Sequence, residues 1–330
     1  MLNENPSITN HPELPNPLGF APLRQQKSSR RTTSIDVTWP QEMRGTMAFD
    51  AIARDIYTAE NTVDFLVIQQ DNLLDSIDAD RYIKAISANP KLANVEEFVG
   101  HRGGGHLRLA LDEIYGEDQQ RDYRPAFLLI DDISGASLVA PWARSKWPKL
   151  EPEHSLGPET IRQIRQKMEG VCIGFAPGNS AFSSPLDQSI HRSAKVPPLH
   201  HPEDPDGWHQ LPEHNSITMR RARRIDLWLD EDIEVDAMFQ DSASLPEGGR
   251  EAVHEYHLQV SAEANTGIIK RNQITPHILP FPECPRAVNN AQKMVGTPLS
   301  ELRHSVLENL RKTNGCTHVN DALRALADVS

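Results

Sequence analysis

The sequence predicts an α+β protein built as a tandem pseudo-repeat, each half an antiparallel sheet followed by packed helices. The first observation is a repeated basic motif: Arg30-Arg31-Thr-Thr-Ser-Ile-Asp36 returns as Arg220-Arg221-Ala-Arg-Arg-Ile-Asp226. The second is that a strand-like run ending in Asp follows each copy, at residues 51–55 and 237–241. The third is a Val-Gly pair that precedes a Leu-rich helical pattern in both halves. Strands followed by helices are typical of this class.

These patterns divide the chain into four parts. Residues 1–28 hold five prolines and no periodic apolar pattern, which predicts an extended, weakly ordered arm. Residues 29–173 form the N-terminal repeat and residues 219–330 the C-terminal repeat. Residues 174–218 are rich in Pro, Ser and His and too poor in periodic apolar residues to be a domain, so we interpret them as a linker.

In the first half, alternating apolar residues predict strands between residues 30 and 70. A helix is expected near residues 78–87, because Ile83, Ala85 and Ile86 fall on one helical face. Further helices are expected at residues 105–115 and 158–168. The apolar run at residues 126–130, which ends at an Asp-Asp pair, is strand-like.

In the second half, the same criteria predict strands at about residues 223–229, 233–241, 253–262 and 265–271. Pro285 opens a helix, a second covers residues 299–310, and a third begins at residues 316–318. Alternation along the strand at 253–260 places His254 on the core face and His257 toward water. The same alternation places Asp241 at the inward end of the preceding strand.

Composition excludes several classes of partner. The chain has 330 residues and a net charge of -12, so we expect neither nucleic acid nor an anionic membrane as a partner. The arginines at residues 220–224 are interpreted as a solvated or ion-paired strand edge, with a local site for an anion as the alternative. Three cysteines are too few for a secreted disulfide framework, and there is no secretion signal or long apolar run. A soluble cytoplasmic protein is expected.

The strongest local signal for chemistry is Cys316-Thr317-His318, directly before the last helix. A helix start favours an anion, which would lower the pKa of Cys316 toward the thiolate, and Thr317 is a credible N-cap. Together with Cys284, which precedes another helix start, Cys316 and His318 complete three ligands that zinc or iron accepts. An activated cysteine without metal and inert buried cysteines are the alternatives.

Asp241 and His254 are the further candidates for the same site. A buried carboxylate needs a partner, and a histidine or a metal on the neighbouring strand would supply one. Either residue would then complete the metal shell or act as the general base. The alternative is that Asp241 caps a turn and His254 bonds to backbone. In the first repeat, Asp55 corresponds to Asp241 and Asn61 roughly to His254, so its equivalent site would not hold a metal in the same way.

Several motifs together are similar to one protein family. They include the repeated Arg-Arg motif already given, Leu279-Pro-Phe-Pro-Glu-Cys284-Pro, and Gly315-Cys316-Thr-His318-Val-Asn-Asp. With these motifs the chain resembles the bacterial domain-of-unknown-function family 2889, over most of its length. The resemblance implies that the Cys-Thr-His segment is a family hallmark and implies nothing about activity. Val319 stands where the family pattern leads us to expect leucine.

Three functions are compatible with these residues. The first is a metal-dependent (Zn or Fe) enzyme acting on a small organic molecule, with Cys284, Cys316 and His318 as ligands and with Asp241, His254 and Cys316 as catalytic candidates. The second is a carrier that passes a metal or cluster on. The third is a partner-binding scaffold with inert cysteines. An open coordination position beside a pocket would favour the enzyme, and an exposed, fully ligated site would favour the carrier.

Overall fold

The computed structural model describes residues 14–40, 45–61, 64–116, 124–147, 158–182 and 192–329. Within these ranges, nine strands form one antiparallel sheet accompanied by six α-helices. The α+β class predicted from the sequence is therefore confirmed. The strands are β1 (Ser28–Thr38), β2 (Met47–Thr58), β3 (Phe65–Ile77), β4 (Ile83–Asn89), β5 (Ala194–Val196), β6 (Met219–Leu229), β7 (Ile233–Ser244), β8 (Arg250–Ala262) and β9 (Ile269–Ile278).

The two halves of the chain share this sheet, because β1 and β6 pair antiparallel at its centre. From β1 the order continues outward through β2, β3 and β4, and from β6 through β7 and β8. The short strand β5 and the longer β9 both pair with β8. Each half therefore contributes a meander of four consecutive strands.

The helices supply the core on one face of the sheet. They are α1 (Leu107–Tyr115), α2 (Ala126–Val139), α3 (Pro158–Lys167), α4 (Arg286–Ala291), α5 (Leu302–Asn309) and α6 (Thr317–Arg324). Helix α2 lies across β1, β2, β3 and β6, while α6 packs on β7 and on α5. Most buried apolar residues form two large clusters, one drawn mainly from the first half of the chain and one mainly from the second, and a smaller third cluster joins the arm and the linker to the sheet. The predicted helices at 105–115 and 158–168, and those of the second half, are present with small shifts at their ends.

Two predictions of secondary structure were wrong, both for short apolar runs in the first half. The strand-like run at 126–130 is the beginning of α2, and the Asp131-Asp132 pair lies inside that helix. Thirteen of the fourteen residues of α2 are buried. A helix that is buried all round carries no 3.6-residue pattern, so periodicity could not separate it from a buried strand.

The helix expected near residues 78–87 is the strand β4. Its β-branched residues Ile83 and Ile86 lie opposite Ile77 and Asp75 of β3. Backbone pairing with β3 makes this segment a strand and outweighs its weak helical pattern.

The second face of the sheet is covered by the arm and the linker. Residues 14–27 of the predicted arm pack closely: the backbone N–H of Leu18 donates to Glu255 (2.7 Å) and that of Ala21 to the carbonyl of Leu199 (2.9 Å). In the linker, Trp208 and His209 are buried. Residues 1–13, the remainder of the predicted arm, lie outside the described ranges.

The two meanders have an irregularity at the same place. A β-bulge shifts the β2–β3 register between Asp55 and Ile56, and another shifts the β7–β8 register between Asp241 and Ser242. As a result Asp55 lies opposite Gln69, whereas Asp241 lies opposite His254. Asn61, which the sequence matched roughly to His254, lies in the connection between β2 and β3 and does not face Asp55.

The buried carboxyl of Asp75 in β3 should make the stability of the protein depend on pH. Burial raises the pKa of its carboxyl from 3.8 to about 7, and no described side chain donates to either oxygen. The folded state therefore binds a proton that the unfolded state releases above pH 4, and stability from this group is lost as pH rises from about 4 to about 7. We expect Asp75→Asn to remove that loss, which is at most about 4 kcal/mol.

The measurement is the free energy of unfolding by urea between pH 4 and pH 8, for wild type and Asp75→Asn. The difference between the two proteins should grow with pH and level off above neutrality. Asp80→Asn, an exposed carboxyl close by in the chain, is the matched control. Parallel pH profiles for wild type and Asp75→Asn would contradict the prediction.

Candidate functional site

A layer of buried arginine–aspartate pairs lies between the sheet and the helices. Arg221 of β6 donates to both carboxylate oxygens of Asp241 on β7, at 2.9 and 3.1 Å, and to Asp321 of α6 at 3.0 Å. Arg223, two residues further along the same strand face, donates to Asp132 of α2 at 2.6 and 3.0 Å. These fork-shaped contacts satisfy several donors of each guanidinium at once.

The network continues through the helices. Asp131 accepts from Arg108, Arg303 and Arg324, and Asp321 contacts Arg108, Arg221 and Arg324. Six arginines and six aspartates take part, so their charges balance. They are Arg31, Arg108, Arg221, Arg223, Arg303 and Arg324 with Asp55, Asp131, Asp132, Asp241, Asp321 and Asp328. The arginines at 220–224, expected at a solvated or ion-paired strand edge, are buried and ion-paired in the centre of the sheet.

A glycine of α2 makes room for the central arginine. A side-chain methyl on Gly135 would lie 1.9 Å from Nη1 of Arg221. No residue with a Cβ fits at this point of α2 unless the guanidinium moves. The close approach of α2 to β6 therefore requires glycine at this position.

Asp241, His254 and His318 converge beside this network. Asp241 and His254 lie opposite each other on β7 and β8, and the first turn of α6 brings His318 to them. Oδ2 of Asp241 is 3.3 Å from Nδ1 of His254 and 3.4 Å from Nε2 of His318. The two imidazole rings are stacked, with centroids 3.5 Å apart. Among the described His, Cys, Asp and Glu residues, these three form the group whose ligand atoms lie within 4.8 Å of one another.

The environment fixes the charge of each member. Burial lowers the pKa of both imidazoles, and the positive charge of a protonated His254 would lower that of His318 further. Burial opposes the ionisation of Asp241, but the adjacent Arg221 outweighs it and holds the pKa of that carboxyl well below its usual value. At neutral pH the group consists of one carboxylate and two neutral imidazoles.

Both ring nitrogens that face the carboxylate lack a hydrogen bond. Their distances to Oδ2 exceed the range of about 2.7–3.2 Å in which an N–H donor normally bonds to oxygen. His254 and His318 are 8% and 7% exposed, so water does not fully replace the missing partner. Two buried nitrogens and one oxygen thus point at one space without satisfying each other.

Cys316 is next to His318 but is not the thiolate that the sequence predicted. Its Sγ lies 3.6 Å from Nδ1 of His318. Burial, followed by the neighbouring Cys172, raises the pKa of Cys316 to about 12, the opposite of the expected direction. The loss of hydration at this buried helix start is larger than the stabilisation that the helix end provides. Cys316 itself, rather than Thr317, is the N-cap residue of α6.

Cys284 and Cys172 lie near each other and near Cys316. A methyl on Gly174 would be 2.8 Å from Sγ of Cys284 and 3.9 Å from Sγ of Cys172. All three cysteines are buried and free. The structure therefore joins Asp241, His254 and His318, with Cys316 at their side, while Cys284 stays outside the group. The sequence patterns assigned no role to Cys172.

The prediction for the two histidines of β8 was right for one of them. His254 is buried on the helix side, as expected. His257 is only partly exposed and contacts Asp236 at 2.7 Å. Its face of the sheet was expected to meet water, but the arm and the linker cover that face.

A cavity of about 290 Å³ is lined by residues of α5 and α6 and by none of Asp241, His254 and His318. Thr317 and Asp321 of α6 line it, and the same Asp321 bonds to Arg221, the partner of Asp241. Apolar residues of α5 form one wall, and Arg311 and Lys312 lie at its border.

Comparison with known proteins supports the resemblance in the C-terminal part of the chain. The family model described as "Protein of unknown function (DUF2889)" matches residues 219–330. These residues include Asp241, His254 and His318, so the whole candidate group lies inside the matched region. No curated protein and no solved structure gives a significant match.

One helical stretch in the described chain, Ala126–Lys146, is long and apolar enough to cross a membrane. Within its most apolar window, 83% is buried inside the protein. This burial is consistent with the core helix of a soluble protein.

Removal of Arg221 is expected to destabilise the fold strongly. The variant Arg221→Met keeps much of the side-chain volume and leaves Asp241 and Asp321 each short of a cation in the core. Removing one partner of a buried ion pair costs about 3–5 kcal/mol. Unfolding by urea is the measurement, and Lys195→Met is the control because it removes only the exposed pair with Glu247. A loss no larger than that of the control would contradict the structural role of Arg221.

Proposed function

We propose that the protein is a metal-dependent enzyme that binds zinc or iron and acts on a small organic molecule. The observation that carries the proposal is the convergence of two buried, unpartnered imidazole nitrogens on one ionised carboxylate. Asp241, His254 and His318 are the proposed ligands. A cation among the three donors would satisfy all of them at once.

The donor set is suited to these metals. Two neutral imidazoles and one carboxylate are accepted by zinc, and the same set with open positions is typical of non-haem iron. Three protein ligands leave at least one coordination position for water or substrate, whereas structural zinc sites are closed by four protein ligands. This donor count favours catalysis over a purely structural ion.

The metal would supply a Lewis acid that polarises an oxygen of substrate or activates a bound water. The chain's own residues orient the ligands. Arg221 holds Asp241 ionised and fixes its orientation through two hydrogen bonds. If Nε2 of His318 faces the metal, Nδ1 carries the proton and points at Sγ of Cys316. A partner on the second ring nitrogen is the usual way in which proteins orient a histidine ligand.

This assignment changes the roles that we expected for the cysteines. Cys284, Cys316 and His318 were the expected ligands, and we now propose that only His318 of these three contacts the metal. Cys316 becomes a positioning residue for His318. Its raised pKa favours this role, because a buried thiol is a weak ligand and a weak nucleophile.

The burial of the ligands and their unpartnered nitrogens favour an enzyme over a carrier or a scaffold. A molecule bound in the cavity of about 290 Å³ would lie beside Thr317 and Asp321 of α6, because none of the three proposed ligands lines that cavity. A carrier needs ligands exposed to the receiving protein, whereas His254 and His318 are buried. A scaffold would have no use for unpartnered nitrogens in its core.

We also propose that the chain arose by internal duplication and works in a bacterial cytoplasm. The duplication is supported by the two four-stranded meanders and by their bulges at corresponding positions. It is supported further by the pair Arg31–Asp55, whose fork geometry repeats that of Arg221–Asp241. Gln69 replaces histidine in the first half, so only the second half would bind metal.

Elemental analysis of anaerobically purified protein tests the metal proposal. We expect close to one zinc or iron per wild-type chain, and loss of most of it in His254→Ala and His318→Ala. His257→Ala is the matched control, since it removes a histidine from the opposite face of the same strand. A metal-free wild type that also fails to bind added zinc or ferrous iron would overturn the proposal.

The variant Cys316→Ser separates the two possible ligand sets. A serine hydroxyl preserves a polar partner for His318, so we expect the metal affinity to stay within about twofold of that of wild type. Loss of the partner that orients a ligand typically lowers metal affinity by roughly tenfold or more. Complete loss of metal in Cys316→Ser, with a normal thermal unfolding midpoint, would return Cys316 to the role of ligand. Rapid transfer of metal to a weak chelator would favour the carrier.

A further inference from the structure

The cavity between α5 and α6 has an apolar wall. Its volume is about 290 Å³, close to the lower end of the roughly 300–1,000 Å³ that small-molecule sites occupy, so it suits a compact ligand. The apolar part of the lining consists of Val171, Val306, Leu307 and Leu310. Val171 and Leu307 are 38% and 39% exposed, which leaves apolar surface open to a ligand.

The charged part of the same lining is mainly cationic. It holds four cationic side chains and one carboxylate, namely Arg108, Arg311, Lys312, Arg324 and Asp321. Asp321 is already in contact with three arginines of the buried network. Its charge is therefore offset within that network, and the cavity keeps an excess of positive charge.

Arg311 and Lys312 account for this excess. Both are exposed and stand outside the balanced set of six arginines and six aspartates. Nε of Arg311 donates to the carbonyl of Leu307 at 2.7 Å, which fixes the guanidinium beside the apolar wall. Neither side chain forms an ion pair with another residue in the described part of the chain, so both charges are available to a ligand.

Two further features of the lining favour an anion. The side chain of Arg324 is 3% exposed, and its buried Nε has no hydrogen-bond partner among the described residues. A buried donor without an acceptor is costly, and a ligand oxygen beside it would supply one. Helix α6 begins at Thr317, which also lines the cavity, and the start of a helix carries partial positive charge.

We propose that the α5–α6 cavity binds a small organic anion, a carboxylate that carries a short apolar chain. The carboxylate would lie beside Arg311 and Lys312, and its chain would pack on Leu307 and Leu310. A carboxylate accepts the paired donors of a guanidinium, whereas an uncharged apolar ligand would leave both cations without a partner. An inorganic anion would leave the apolar wall exposed to water.

This site is separate from the proposed metal group. Asp241, His254 and His318 do not line the cavity, so binding of the anion does not require a metal. The metal content of the protein and its affinity for a carboxylate are therefore independent results, and the failure of one proposal leaves the other standing.

Calorimetric titration of the protein with hexanoate tests the proposal. We expect saturable binding of about one hexanoate per chain. Hexanamide has a similar shape without the charge, and acetate lacks the apolar chain, so each should bind roughly fivefold more weakly or worse. Equal affinity for hexanoate and hexanamide would overturn the assignment of an anion, and equal affinity for hexanoate and acetate would overturn the role of the apolar wall.

A double variant tests the location of the site. Arg311→Gln/Lys312→Gln removes two exposed charges, so it should fold, and we expect its affinity for hexanoate to fall roughly fivefold or more. Arg286→Gln/Lys293→Gln is the matched control, because it makes the same change in net charge at two exposed residues outside the lining. Unchanged affinity in the first variant would overturn the proposal. A wild type that binds no hexanoate would overturn it too, whether the cavity is empty or filled by another part of the chain.

Discussion

The structure depends on the ion pair between Arg221 and Asp241. Arg221 is 1% exposed and lies on a central strand, where an unpaired guanidinium would be costly. Its contacts reach β7 through Asp241, α6 through Asp321, and α2 through Asp132 at 3.7 Å. One side chain thus holds two strands and two helices in a fixed relation, and Gly135 of α2 leaves the space that it needs.

Buried arginine–aspartate pairs also connect the central strands β1 and β6 on the other face of the sheet. Arg30 of β1 bonds to Asp226 of β6, and Arg220 of β6 bonds to Asp36 of β1. The register between β1 and β6 is therefore specified by reciprocal ion pairs, whereas apolar side chains would allow slippage. The arm and the linker exclude water from these pairs, and they also supply backbone acceptors: Arg30 donates to the carbonyls of Pro22 and Gly207. These additional hydrogen bonds offset part of the cost of burying the guanidinium.

The candidate metal group follows from this architecture. Asp241 is ionised because of Arg221, and His318 reaches it because Asp321, on the same helix, bonds to the same arginine. In the first half the pair Arg31–Asp55 has the same fork geometry, and Gln69 lies opposite Asp55 as His254 lies opposite Asp241. An ion pair of this geometry occurs in both halves, but among the described residues a His–Asp group that could hold a metal accompanies it only in the second half. If the proposed function is correct, Asp241 has both a structural and a chemical role.

The sequence by itself determined the features that depend on local pattern. Alternation placed His254 inward and predicted β6, β7 and β8, whereas the last strand, expected at 265–271, is Ile269–Ile278. Local signals placed Cys316 and His318 at the start of a helix. The family motifs agreed with the match to residues 219–330. These predictions succeeded because strand period, helix starts and motifs are encoded within a few neighbouring residues.

Only the tertiary structure decided the rest. Helix α2 and strand β4 have short apolar runs whose conformation is set by their neighbours, and the bulge that brings Gln69 opposite Asp55 leaves no mark in spacing. The pKa of Cys316 rises because the completed fold removes water from a helix end that would attract an anion if it were exposed. Arg221 and its partner Asp321 lie 100 residues apart in sequence. A contact over that separation depends on how the sheet and the helices pack, which no local pattern records.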